Sequence, residues 1–232
     1  MKTFELYEAL ALGELSNLAM AEEVPGKINE KNQPRIIRYA NEALLELYSR
    51  FLLKEKSVLV QMLRHITFYH LLPRFAMYES SSNEPYKYIM DLPDERFIGD
   101  VIKVIAVYDH TGHVLPLNDE ARHWSVFTPQ ASMIQVPHPL EGYALSVTYQ
   151  ARHPILVHGQ NQDIDIPAVL ESALTAYIAY KVFSHMSTPE STAKGQEHYA
   201  VFESKCAMAE EKDLVSTSIT TSNTRFYNNG WI

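Results

Sequence analysis

The sequence predicts an α+β protein: a four-helix bundle with an inserted antiparallel β sandwich or barrel, followed by an extended C-terminal tail. Three observations predict it. Apolar residues recur at helical spacing near both ends of the chain. Between Ser57 and Val157 the pattern changes to short runs rich in Val, Ile, Tyr and Phe, separated by polar turns. The last nineteen residues, Leu214 to Ile232, contain ten Ser, Thr or Asn and a single charge, Arg225.

The first helix is expected from Phe4 to Met20, where Tyr7, Leu10, Ala11, Leu15, Leu18 and Ala19 share a face before Pro25 and Gly26 end it. The second has Asn32 as its cap and Pro34 in its first turn, with Ile36, Ile37, Ala40, Leu44, Leu47, Tyr48, Phe51 and Leu52 on one side. Strands are expected at Ile66–Leu72, Val101–Tyr108, Ser125–Phe127, Met133–Val136 and Tyr143–Ala151. Asp109-His110-Thr111-Gly112 and Glu141-Gly142 read as turns. A third helix follows with Asp165 as cap, and Ile166 and Pro167 enter its first turn. A fourth restarts after Thr188-Pro189, with Ser187 and Glu190 at capping-box spacing. Tyr199, Phe202, Cys206 and Ala209 form its stripe, and Gly195 weakens its start. The expected units are 1–56 and 161–212 for the helices, 57–160 for the β insertion and 213–232 for the tail.

Composition excludes several functions. A net charge of −8 with no basic run argues against a nucleic-acid-binding face. The single cysteine forbids an intramolecular disulfide and fits a reducing compartment. Glu5, Glu8 and Glu14 interrupt any signal-peptide pattern, and no run of eighteen apolar residues suggests a membrane span, so the chain is expected to be made in a cytoplasm without membrane partners.

No constellation declares catalysis. His110, His113 and His123, with Asp109, Asp119 and Glu120, raise a metal-dependent enzyme as an alternative, but the turn at Gly112 is the plainer reading. His65 and His70 lie on opposite faces of a strand-like run. Cys206 reads as a buried structural thiol. Asn118, Trp124 and Phe127 suit a small pocket, although a core tryptophan is the commoner role. Glu210-Glu211 reads as solvated surface. Nucleotide and hydrolase motifs are missing, and eight glycines leave little scope for a phosphate-cradling loop. The expectation is a non-enzyme with neither metal nor cofactor.

The tail is the informative segment. Ordering it costs about 1 to 2 kcal/mol per residue, whereas burying one aromatic returns about 4 to 6 kcal/mol. Phe226, Tyr227 and Trp231 therefore leave it near balance or short of it, and it needs a receiving surface.

The passages Ile36-Ile37-Arg38-Tyr39-Ala40-Asn41-Glu42-Ala43-Leu44 and Ala173-Leu174-Thr175-Ala176-Tyr177-Ile178-Ala179-Tyr180-Lys181-Val182-Phe183, the Thr188-Pro189-Glu190 stop and the aromatic tail carry a resemblance over nearly the whole chain. It resembles the head-to-tail adaptor (connector) proteins of tailed bacteriophages, of the type with a β domain inserted in a helical bundle. The resemblance implies a dodecameric ring of self-associated copies in the virion neck, made in the host bacterial cytoplasm. That ring sits beneath the portal protein, offers a surface to a tail or nozzle protein, and lets genomic DNA pass without sequence-specific binding. Carried over by position, the portal-facing residues are Tyr199, Phe202, Leu214, Ile219, Arg225, Phe226, Tyr227, Trp231 and Ile232. Another neck or tail-completion ring is the alternative structural role.

Overall fold

The computed structural model describes residues 1–16 and 27–215. Helix α1 spans Thr3–Leu12 and buries Leu6, Tyr7, Leu10 and Ala11, one face of a 3.6-residue period. It stops earlier than the spacing predicts. Gly13 closes it by donating its N–H to the Ala9 carbonyl, and a Cβ on Gly13 would lie 2.8 Å from that oxygen. The expected stop at Pro25-Gly26 lies outside the described residues.

Helix α2 spans Gln33–Arg50 and buries Ile36, Ile37, Ala40, Leu44, Leu47 and Tyr48. Pro34 sits in its first turn as expected, but the Asn32 side chain makes no capping bond.

Eight strands follow among the described residues: β1 (Glu55–Gln61), β2 (Phe68–His70), β3 (Ile89–Met90), β4 (Val101–Tyr108), β5 (Val114–Leu115), β6 (Phe127–Gln130), β7 (Met133–Gln135) and β8 (Ala144–Ala151). They form an open five-stranded sheet, ordered β3-β1-β8-β4-β5, and a three-stranded sheet, β2-β7-β6. Every strand pair is antiparallel. β8 is central, with Val58↔Val147 on β1 and Val107↔Val147 on β4. Val60, Val107 and Val147 of the larger sheet share a core with Tyr69 and Ile134 of the smaller. β1 is absent from the expected strands. The expected 66–72 strand shortens to Phe68–His70, and the one expected at 125–127 moves to Phe127–Gln130.

Helix α3 spans Ala168–Ser184 and α4 spans Pro189–Glu211. Pro167, not Asp165, caps α3, because Asp165 is engaged elsewhere: its N–H donates to His153 Nε2 at 3.1 Å and its carbonyl accepts from the Tyr48 hydroxyl. Thr188, not Ser187, caps α4. Its Oγ1 accepts from the Ser191 N–H at 3.2 Å, and Ser191 Oγ accepts from the Thr188 N–H at 3.2 Å. Ser187 holds a left-handed φ of 57° in the turn before it. Gly195 is not merely a weak helix residue: its missing Cβ lets α4 close on α3, where an added Cβ would meet Ser184 Oγ at 2.9 Å. One apolar core joins residues of all four helices, including Leu10, Leu44, Leu174, Ile178 and Phe202.

The strands meet the helices at a buried polar joint. Gln150 of β8 donates through Nε2 to the Tyr48 and Phe51 carbonyls, the latter at 3.0 Å. The Tyr48 carbonyl is left over at the end of α2, where the helix has no further N–H to offer, and the Phe51 carbonyl also accepts the Leu53 N–H at 2.9 Å. Asp100 is buried and takes Lys56 Nζ at 2.7 Å and the Tyr149 hydroxyl at 3.0 Å. Asn41 makes two bonds to the Leu156 backbone, at 3.0 and 2.8 Å.

Candidate functional site

The last helix and its exit hold the surface the sequence singles out. Helical spacing places Phe202 inward and Tyr199 outward on α4. Phe202 is 1% exposed and packs edge-on to Tyr177 at 5.1 Å, so it belongs to the helical core and offers a partner no free surface. That corrects its placement among interface residues. Tyr199 is 42% exposed, with its ring against Tyr180 at 5.0 Å. An aromatic series therefore runs from buried Phe202 through Tyr177 and Tyr180 to the surface at Tyr199.

Charge fixes this surface to helix α2. Arg50, in the last turn of α2, donates from Nε to Glu210 at 2.7 Å and from Nη1 to Glu203 at 2.8 Å. A cation suits that helix end. Its hydrogen bonds hold both carboxyls below the ordinary glutamate range and raise the guanidinium further. Glu210 is therefore a tether between α2 and α4 rather than simple solvated surface. The neighbouring Glu203 carboxylate is the main cause of the raised Tyr199 pKa.

Beyond Glu211 the chain turns back. Leu214 donates its N–H to the Ala209 carbonyl at 3.0 Å, and the Val215 side chain returns to the helical core. Leu214 itself is about half exposed. The tail thus leaves from a fixed root. Ile219, Arg225, Phe226, Tyr227, Trp231 and Ile232 lie outside the described residues.

The histidines are arranged differently from the expected trio. His113 turns to Thr111, with Nδ1 and Oγ1 2.7 Å apart, within the 109–113 turn. Three bonds to Asp109 Oδ1, from the Thr111 N–H and hydroxyl and the His113 N–H, organise that turn. The Thr111 hydroxyl contributes most to lowering the Asp109 pKa to about 2. His110 and His123 instead line a cleft of about 320 Å³ with His138, Trp124 and Leu140. His110 packs on Tyr143 at 4.2 Å, and His123 stacks on His138 at 4.4 Å. Trp124 is 55% exposed at the mouth, which corrects the core role, and neither Asn118 nor Phe127 lines the cleft. Among the described residues no group of three or more His, Cys, Asp or Glu is placed to hold a metal ion. His65 packs on Tyr86 and His70 on Phe75, so they share no site. Cys206 is fully buried, and desolvation pushes its thiol to about 11, far from a nucleophile's range.

The sequence signal missed His138 and Leu140 because nothing local marks residues from separate turns as neighbours. It missed the Arg50 tether for the same reason. Among the described residues no helix is long and apolar enough to cross a membrane. Neither a family model nor a curated protein matches the sequence.

Proposed function

We propose that the chain is a structural head-to-tail adaptor of a tailed bacteriophage. In this reading its four helices are the two halves of one bundle and the β unit is an insertion between them. Copies form a ring beneath the portal, extend the DNA channel and present a surface to tail components. The role is structural rather than catalytic, and it places the chain in the virion neck.

One observation carries the proposal: a polar segment holding Phe226, Tyr227 and Trp231 continues from a root packed into the helical core. Val215 sets where the segment starts, while its composition leaves it short of burial by itself. A partner that receives Phe226, Tyr227 and Trp231 supplies the missing surface, as buried aromatic anchors do at interfaces. The separate helical and strand cores support the insertion reading. The acidic balance of −8 suits a channel through which DNA slides without sticking.

Deleting 216–232 and measuring binding to the portal ring tests it. Loss of portal binding with an unchanged melting temperature is the expected result. Retained portal binding with lost tail attachment would assign the chain to the tail side of the neck instead.

A further inference from the structure

Resting on the ring reading above, we propose that successive copies meet head to tail, with the outer stripe of α1 on one copy seated in a groove beside α2 on the next. Helix α1 spends Leu6, Tyr7, Leu10 and Ala11 on its own core. That leaves Phe4, Glu8 and Leu12, spaced by four, on one outward stripe, with Glu5 beside them. Such a stripe is apolar at both ends and acidic between.

The groove has the complementary chemistry. It lies between α2 and the 152–157 segment that leaves β8, and has a volume of about 410 Å³. Ile37, Leu45 and Ile155 line it, with Arg38, Arg152 and Glu42. Glu42 is already shared by Lys181 at 2.8 Å and Arg38 at 3.4 Å, so the carboxylate is outnumbered by cations. Arg152 is exposed and makes no ion pair among the described residues. Phe4, Leu12, Leu45 and Ile155 are each more than half exposed, so apolar surface remains on both sides. Charge therefore selects the occupant: a helix presenting apolar residues around carboxylates, which every copy of this chain carries.

The two faces are different patches, so the contact is heterologous, and a heterologous contact whose rotation divides a full turn closes into a ring. One helical stripe in one groove is small for a stable interface. Such a contact forms rings when many copies are aligned on a template, and leaves the free chain largely unassociated.

The test is charge reversal, read as the fraction of portal rings that carry a full adaptor ring by electron microscopy. Glu8→Arg alone and Arg152→Glu alone should each lower that fraction about tenfold or more, because like charges then face each other. Both changes in one chain should restore it to within about threefold of the original. Should either reversal unfold the chain by circular dichroism, Leu12→Ser and Ile155→Ser replace them, with the same loss expected. Single variants that ring as well as the parent, or a double variant that stays defective, overturn this contact and leave the adaptor reading standing. A parent chain that never rings on the portal overturns both.

Discussion

Tyr199 and Phe202 sit three residues apart on α4 and have opposite roles. Phe202→Ala should cost about 3 to 5 kcal/mol, because it opens a cavity in the core shared by the helices. Tyr199→Ala should leave the unfolding free energy within about 1 kcal/mol of the parent while weakening portal binding; denaturant titration and a binding assay separate the two. His153 makes the sharpest prediction about pH. It is buried beside Tyr48, donates from Nδ1 to the Pro154 carbonyl at 2.6 Å and accepts at Nε2 from the Asp165 N–H. Both nitrogens are used in the neutral form, and burial holds its pKa below the ordinary value, outweighing the opposing pull of the hydrogen bond to the Pro154 carbonyl; Lys54 lowers it too and Asp165 opposes. The folded state therefore takes up this proton less readily than the unfolded chain. The stability tied to neutral His153 is complete above a pH of about 6.5 and is lost as pH falls below it. His153→Ala should cost about 1 to 3 kcal/mol at pH 8 and flatten that acid dependence, measured by denaturant melts from pH 8 to 5.

At the scale of elements, the α3–α4 pair depends on close approach at Gly195. Gly195→Val should destabilise by about 1 to 3 kcal/mol despite improving helix propensity, since its branched side chain must displace Ser184; thermal unfolding checks it. The joint between strands and helices depends on Gln150, and Gln150→Leu should cost about 1 to 3 kcal/mol by taking the donor from the Tyr48 carbonyl and leaving the Phe51 carbonyl only the Leu53 N–H. Long elements were legible, α2 and α3 through apolar residues at helical spacing and β4 and β8 through runs rich in Val, Ile, Leu and Tyr. Short or competing signals were not. In β1 the run Val58-Leu59-Val60 is continuous in apolarity, yet the strand turns Leu59 outward and exposes it, so alternation never shows in the sequence. Asp165 looks like a helix cap, but a tertiary contact with His153 and Tyr48 claims its peptide groups and moves the start of α3 past Pro167. Thr188 and Ser191 outcompete Ser187 and Glu190 because Ser187 occupies the left-handed turn. At the candidate site, the outward stripe of α4 was readable only up to its inward limit, and the Arg50 link to Glu203 and Glu210 spans a sequence distance over which no pattern is visible.

For the whole molecule, the described residues form one core shared by α1, α2, α3 and α4 and another shared by the two sheets. The assignment of that body to a ring under a portal rests on the tail and its fixed root at Val215. The ring reading makes the groove beside α2 and the outer stripe of α1 into neighbours, and it leaves α4 and the tail for the portal. It also separates folding from assembly: residues 1–215 should fold without the rest of the tail, and only docking should need it. Electron microscopy of the purified chain mixed with the portal ring, run in parallel on the full chain and on one ending at Val215, tests this most directly. The account predicts rings on the portal with the full chain and bare portals with the shortened one, both proteins melting at the same temperature. Equal decoration of the portal by the two chains, or no decoration by either, would contradict it.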